Sequence, residues 1–144
     1  MSTRGRYATR ALLDLALNPD EGPTSLKEVA ARLEVSPKYL DQILSQLRNA
    51  GIVRATRGSK GGFSLAADPK ELRILDVITV MEGKTSIVDC VVEKNVCPLS
   101  EECVTRDVWT DVSAAIDKVL GAITLNDLVK KVSIRKKKNV ACPK

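Results

Sequence analysis

Three of the four cysteines lie within one short segment of the sequence. Six residues separate Cys90 from Cys97 and five separate Cys97 from Cys103, whereas Cys142 lies further along the chain. Thiolates are the usual protein ligands of iron-sulfur clusters, and a loop can wrap three of them around one cluster. The spacing matches neither a zinc ribbon nor a ferredoxin, so structural zinc, a thiol sensor and buried structural cysteines are alternatives.

The sequence contains no histidine. Histidine is the commonest general acid or base in enzymes, so its absence excludes the Ser-His and Cys-His nucleophile pairs. The sequence also lacks a phosphate-binding glycine loop and an evident pair of catalytic carboxylates. We therefore expect that the protein is not an enzyme.

Charge and composition indicate a binding partner that is acidic. The 144 residues carry a formal net charge of +5, with a sequence pI near 9.1, and nucleic acid is the commonest acidic partner of a small basic domain. Residues 1–10 contain three arginines and no apolar run, and no window is long enough to span a membrane. We expect a cytoplasmic protein, in which cysteines serve as metal ligands or redox thiols more often than as disulfides.

The first half of the chain predicts helices followed by a β-hairpin, which is the order of a winged helix-turn-helix. Ser25 and Glu28 form a capping box, and Ser36 precedes Pro37 as the cap of the next helix. The predicted elements are helices over residues 6–17, 26–33 and 37–50, strands over residues 52–56 and 63–65, and a helix over residues 74–81. A small α+β fold with solvated basic residues, or a helix-turn-helix that contacts protein, is the alternative.

Seven side chains are the candidates for contact with a double-stranded DNA operator. The start of the third helix would face base edges and its end the backbone, while the hairpin tip suits a minor groove or phosphates. In that order the residues are Ser36, Lys38, Asp41 and Gln42, then Arg48, then Arg57 and Lys60.

The second half predicts a loop, a long helix and a basic tail. Apolar residues recur at helical spacing over about five turns after Cys103, which is more than a small domain needs, so a partner helix is the natural cover. We expect a mainly α fold with a small β-hairpin. Its predicted parts are a winged helix-turn-helix (residues 1–82), a cysteine-bearing sensor loop (83–103), a dimerisation helix with a short terminal helix (104–129) and a frayed basic tail (130–144), in which Cys142 is a spare exposed thiol.

Short motifs along nearly the whole chain resemble the iron-sulfur cluster regulators called IscR, within a wider family of winged-helix repressors. The resemblance implies a homodimer joined through the long helix, and operators upstream of cluster-assembly genes. It also implies that Ser36, Lys38 and Asp41 read bases and that Arg57 enters the minor groove. The motifs are Gly5-Arg6-Tyr7-Ala8, Tyr39-Leu40, Arg57-Gly58 with Gly61-Gly62, and Ile123-Thr124-Leu125.

The same resemblance implies a [2Fe-2S] cluster held by Cys90, Cys97 and Cys103. The expected function is then a transcriptional repressor whose DNA affinity or preference changes when the cluster is loaded or lost. A thiol- or metabolite-sensing repressor without a cluster is the first alternative. A small iron-sulfur carrier or assembly scaffold is the second, although it would leave the helix-turn-helix without a purpose.

The fourth cluster ligand is where this sequence departs from the family. Arg106 occupies the position at which cluster-binding members carry a histidine, and a guanidinium has only donors and cannot ligate iron. Residues three and four positions after Cys103 share its helix face, which makes Asp107 the next candidate. Asp89, beside Cys90, or a residue of the partner subunit is the alternative.

Overall fold

The computed structural model describes residues 2–18, 22–58, 60–84 and 86–137. They form a mainly helical protein with one two-stranded antiparallel sheet, which confirms the predicted fold class. None of the described helices is both long and apolar enough to cross a membrane. In chain order the elements are α1 (Thr3–Leu17), α2 (Leu26–Leu33), α3 (Pro37–Asn49), β1 (Val53–Thr56), β2 (Gly62–Leu65), α4 (Ile74–Glu82), α5 (Asp89–Val92), a 3-10 turn (Lys94–Val96), α6 (Val104–Gly121) and α7 (Leu125–Lys137).

Helix α1 is the centre of the core, because it packs against α2, α3, α4 and α7. Its small residues Ala8 and Ala11 are fully buried and allow these helices to approach closely. The apolar stripe of α3 is buried against the same core, which fixes the rotation of α3 and leaves its polar side chains outside. The buried residues of α3 are Leu40, Ile43, Leu44 and Leu47.

The caps that the sequence predicts for α2 and α3 are both present. The backbone N–H of Glu28 donates to Ser25 Oγ at 3.3 Å, and Glu28 Oε2 accepts from the backbone N–H of Ser25 at 3.0 Å. Ser36 Oγ accepts from the backbone N–H of Tyr39 at 3.2 Å. Each cap satisfies amides that the first helical turn leaves free, so the two helices begin at defined residues.

A third strand segment joins the hairpin to the body of the domain. Val53 pairs with Leu65 and Thr56 with Gly62 in the hairpin, and Thr24 adds hydrogen bonds of 2.9 and 2.8 Å to Phe63. A side chain at Gly62 would overlap the carbonyl oxygen of Thr24, so this contact requires glycine. The hairpin is therefore anchored along β2, and its tip projects beyond this contact.

The start of α1 and the end of α4 lie in direct contact. A Cβ atom at Gly5 would lie 2.6 Å from Glu82 Oε1 and 2.7 Å from Ile78 Cδ1, so the ends of these two side chains pack directly on the glycine. The backbone N–H and the hydroxyl of Ser2 both donate to Glu82 Oε1, at 2.6 and 2.8 Å. These contacts hold the first residues of the chain beside α4.

The second half differs from the sequence prediction in two places. The segment predicted as a loop contains the short helix α5 and the 3-10 turn, and the basic segment predicted to fray from residue 130 is helical through Lys137. The reason for the second difference is tertiary: Leu125 is fully buried, and its N–H donates to the Leu72 carbonyl at 2.9 Å. Residues 138–144, with Cys142, lie outside the described residues.

Candidate DNA interface and cysteine site

All seven side chains predicted to contact DNA are exposed. Four lie on the first turns of α3 or cap it, one on its last turn, and two at the hairpin tip. Ser36 uses its Oγ as an acceptor for the cap, which leaves its hydroxyl hydrogen free to donate. In the order of the chain the seven are Ser36, Lys38, Asp41, Gln42, Arg48, Arg57 and Lys60.

Helix α1 brings a further arginine to this surface, which the sequence reasoning missed. Arg4 lines a shallow depression together with Tyr39, Asp41 and Gln42 of α3. The signal was present in the sequence, since residues 1–10 carry three arginines, but they were not considered there as contacts to DNA. A cation at this place extends the basic surface beyond α3 and the hairpin.

Two tyrosines hold α1 and α3 together at this edge. The rings of Tyr7 and Tyr39 meet edge to face, with centroids 5.9 Å apart. The guanidinium groups of Arg6 and Arg10 lie 5.8 and 5.5 Å from the centroid of the Tyr7 ring. The packing therefore fixes the start of α1 relative to the helix that is predicted to read bases.

The three clustered cysteines lie on successive pieces of one segment. Cys90 is on α5, Cys97 follows the 3-10 turn, and Cys103 caps α6. All three are free thiols of intermediate exposure. Among the described ranges, no set of three or more cysteine or acidic side chains is close enough together to hold a metal ion. The segment brings the thiols into one region of the fold but does not assemble a ligand set.

Arg106 ties this segment to the first turn of α6. Its Nε donates to the carbonyl oxygen of Cys90 at 2.9 Å, and its Nη1 to that of Ser100 at 3.5 Å. The backbone on both sides of Cys97 is thus fastened to one half-buried guanidinium. The arginine that replaces the expected histidine therefore has a structural role in this conformation.

The thiol of Cys103 has a more polar environment than an ordinary cysteine. Its Sγ lies 3.1 Å from Thr105 Oγ1. This hydrogen bond, together with the backbone N–H of Arg106, lowers the pKa of the Cys103 thiol, while the Asp107 carboxylate opposes the effect weakly. A larger fraction of this thiol is therefore ionised near neutral pH than of a free cysteine.

Both candidate carboxylates for a fourth ligand are exposed. Asp107 lies in the first turn of α6, close enough to Cys103 to act on its thiol electrostatically. Asp89 begins α5, next to Cys90. Neither belongs to an assembled ligand group among the residues that the structure describes.

The face of α6 that points away from the protomer carries a stripe of exposed valines. Ser113 is the one buried residue of α6, whereas Val104, Val108 and Val119 are 80%, 55% and 59% exposed. These valines recur at a spacing that places them on one side of the helix. Such a face on a long helix is the kind of surface that a second helix covers.

Comparison with known proteins identifies the family. A model described as "Rrf2: Iron-dependent Transcriptional regulator" matches residues 1–131. Protein rrf2 of Nitratidesulfovibrio vulgaris is 36% identical over 144 residues, which cover 100% of this chain and 91% of that protein.

Solved structures agree in fold. IscR of T. potens matches with a TM-score of 0.77 and 36% identity, over 99% of this chain and 93% of that one. CymR, the global cysteine regulator of B. subtilis, matches with a TM-score of 0.76 and 38% identity, over 91% of this chain and 96% of that one. The winged helix-turn-helix predicted from the motifs is thereby confirmed, and this chain belongs to the Rrf2 family of transcriptional regulators.

Proposed function

We propose that this protein is a homodimeric repressor that binds operator DNA and receives its signal at the cysteine segment, residues 89–103. The signal is a [2Fe-2S] cluster held by the thiolates of Cys90, Cys97 and Cys103. The observation that carries the proposal is the concentration of three free thiols on one segment that Arg106 fastens to the dimer helix. Its targets include cluster-assembly genes, so that cluster supply regulates its own synthesis.

The DNA-binding part of the proposal rests on exposure and charge. Lys38, Asp41 and Gln42 project from the start of α3, whose opposite side is buried in the core. Arg57 and Lys60 project at the tip of an anchored hairpin. A helix fixed in this way fits the major groove, and basic residues at a wing tip fit the adjacent phosphates or minor groove.

The chemistry of the three donors fits an iron-sulfur cluster, since thiolates are its usual protein ligands. All three thiols are free and of intermediate exposure, so they are available as ligands. A bound cluster supplies a redox-active, labile group. The chain supplies the coupling, because α5 packs on α6 and α6 packs on α4 of the DNA-binding half.

Anaerobic purification tests the proposal directly. We expect a coloured protein with visible absorption and matched iron and sulfide, and we expect Cys90→Ala, Cys97→Ala and Cys103→Ala each to lose the colour. Operator affinity is then compared between loaded and cluster-free protein at fixed salt. A wild-type protein that is colourless and iron-free after anaerobic isolation rejects the cluster.

Asp107 is proposed as the fourth ligand, supplying a carboxylate oxygen where thiolate is missing. An oxygen ligand is harder and binds this metal more weakly than thiolate, which suits a sensor that must lose its cluster. We expect Asp107→Ala to lower cluster occupancy and Asp107→Cys to restore it with a more thiolate-like spectrum. Asp111→Ala, one turn further along the same exposed surface, is the control. Equal spectra and iron content in wild type and Asp107→Ala would move the search to Asp89.

A second candidate function, thiol-based sensing without a cluster, is favoured by the environment of Cys103. The lowered pKa makes this thiol a better nucleophile toward peroxides and disulfides. Similarity to CymR, the global cysteine regulator of B. subtilis, also supports it. Mass spectrometry of the cysteine peptides after mild oxidation distinguishes the candidates. A modified Cys103, together with altered operator affinity in iron-free protein, supports the thiol sensor.

A further inference from the structure

A cavity of about 370 Å³ lies between α4, α5 and α6, away from the predicted DNA surface. Leu75 of α4 and Val91 and Val92 of α5 form its apolar lining. Pockets for small molecules start at about 300 Å³, so this cavity is large enough for a small metabolite.

One oxygen in this cavity lacks a hydrogen-bond partner. Asp117, on the side of α6 that packs on the protomer, lines the cavity, and its Oδ1 is buried without a partner among the described residues. A buried polar atom left unpaired costs free energy, and more so when it belongs to a carboxylate. A cationic group bound in the cavity would offset the charge of this carboxylate.

The hydroxyl groups around Asp117 are also acceptors. Thr79, Ser86 and Ser113 each donate their single hydroxyl hydrogen to a backbone carbonyl, at 2.8, 2.6 and 2.8 Å. A hydroxyl that has donated its hydrogen still has lone pairs with which to accept. The polar wall of the cavity therefore consists of a carboxylate and hydroxyl oxygens, which suit a ligand rich in donors, such as an ammonium group.

Lys84 places a positive charge among the residues that line the cavity. It is an exposed residue just after the end of α4. An ammonium group at the mouth of a pocket can pair with a carboxylate of a ligand that enters it. The cavity thus offers acceptors at Asp117, a cation at Lys84 and an apolar wall between α4 and α5.

We propose that this cavity binds a free amino acid with a small apolar side chain. The ligand's ammonium group donates to Asp117 and the neighbouring hydroxyl oxygens, its carboxylate lies against Lys84, and its side chain contacts Leu75 and the valines of α5. The site goes beyond the proposed function, since it requires neither a cluster nor DNA. Because Cys90 is also on α5, an occupant would stabilise α5 in its place and link amino-acid supply to the cysteine segment.

Calorimetric titration of the full chain with each of the twenty protein amino acids tests the proposal. At least one apolar amino acid should bind, and Asp117→Asn, which keeps the shape of the side chain, should weaken its binding roughly tenfold or more because a charge-assisted hydrogen bond is lost. Asp111→Asn, at an exposed position of α6 that does not line the cavity, is the matched control and should bind as wild type does. The corresponding amine and 2-hydroxy acid should bind more weakly than the amino acid.

Three results would overturn the proposal. The first is that none of the twenty amino acids binds wild type, and the second is that Asp117→Asn binds as tightly as wild type. The third is that Lys84→Met lowers the melting temperature when made in wild type but not when made in Asp117→Asn. That result would mean that the ammonium group of Lys84 itself pairs with Asp117 in the cavity. Operator binding and iron content, measured on the same preparations, test the proposed function separately.

Discussion

Arg106 occupies the position where a metal-binding histidine is expected, and it makes structural contacts instead. A histidine at this position would offer a lone pair to iron, whereas the guanidinium offers only donors and uses them on the carbonyls of Cys90 and Ser100. The cysteine segment is therefore fastened to α6 by the donors of one guanidinium.

The hydrogen bond from Thr105 to Cys103 predicts a measurable change in thiol reactivity. Because it contributes most to the lowered pKa of the Cys103 thiol, Thr105→Val should raise that pKa toward the ordinary value. The thiolate is the reactive form. In cluster-free protein the alkylation rate of Cys103 should therefore begin to rise at a higher pH in Thr105→Val than in wild type. Peptide mass spectrometry after timed iodoacetamide treatment across pH measures this rate.

Thr105→Ser is the control for that experiment, because it keeps the hydroxyl and should preserve the wild-type profile. Alkylation of Cys90 and Cys97, followed in the same digests, should not change with the substitution. Identical pH profiles for Cys103 in wild type and Thr105→Val would show that the hydrogen bond does not control this thiol.

Arg57 at the hairpin tip should contribute to DNA binding through its charge. Arg57→Ala should weaken binding and lower the slope of log affinity against log salt by about 0.9, because one fewer phosphate-bound cation is released. Fluorescence anisotropy at several salt concentrations, with a duplex selected by this protein from a random library, measures both quantities.

Lys70→Ala removes the same charge from an exposed residue outside α3 and the hairpin, and it should leave the salt slope unchanged. An unchanged slope in Arg57→Ala as well would contradict the assignment of the hairpin as a DNA-binding wing.

Residue types indicate a chemistry for the cysteine segment, which stays a prediction, but they do not indicate its geometry. The spacing of the three thiols placed them in one region, and the structure keeps them there. The sequence could not predict that the guanidinium of Arg106 would bind two carbonyls, because that contact depends on how α5 folds back on α6. Tertiary contacts of this kind leave no periodic pattern in a single sequence.

Helix α6 presents two faces with different surroundings. One packs on α4 and carries Asp117, and the other exposes valines that the protomer leaves uncovered. Replacing Val108 and Val119 by lysine should yield folded monomers, since the new charges would oppose an apolar interface. Operator affinity should fall, because two DNA-binding domains would no longer be held together on the two half-sites of an operator. Light scattering after size exclusion should then report a mass near that of one chain, 15.6 kDa.

Val112 lies on the same side of α6 as the two substituted valines. It is half-buried within the protomer, so this variant keeps it in order not to disturb the fold. Ala114→Lys is the control, because it adds a lysine at an exposed position of α6 outside the valine stripe. This variant should remain dimeric. Dimers of the Val108→Lys, Val119→Lys variant would place the interface elsewhere.

The elements best predicted from sequence are those whose ends carry their own signals. Ser25, Glu28, Ser36 and Pro37 mark the starts of α2 and α3 through contacts within a few residues, so local reasoning was sufficient. Only the first residues of α7 are predicted as a short helix, and the strongly basic sequence from residue 130 onward is predicted to fray. Its start is capped by the reciprocal contacts of Thr124 and Asp127, with Thr124 Oγ1 donating to Asp127 at 2.8 Å, and the burial that stabilises it comes from distant elements.

At the scale of the whole molecule, α7 belongs to the same core as α1. Leu125 is fully buried in the cluster that includes Ala8 and Leu12, and its N–H bonds to Leu72. Leu125→Ala should reduce the free energy of unfolding by about 2–5 kcal/mol, because it removes buried methyl groups and leaves a cavity. Urea denaturation at one fixed protomer concentration measures the change.

Ser133→Ala, at an exposed position of α7, should change stability by no more than about 0.5 kcal/mol. If Leu125→Ala also reduced the free energy of unfolding by no more than about 0.5 kcal/mol, α7 would be only loosely attached to the rest of the protein.

The return of α7 to the N-terminal half also affects when a newly made chain can act. The helix-turn-helix and hairpin leave the ribosome first, but the core beneath them stays incomplete until residue 125 has been added. A chain terminated earlier would keep apolar surface of α1 exposed, which favours aggregation or degradation over occupation of an operator. Synthesis in this order therefore means that a chain with a complete core already carries its cysteine segment and α6.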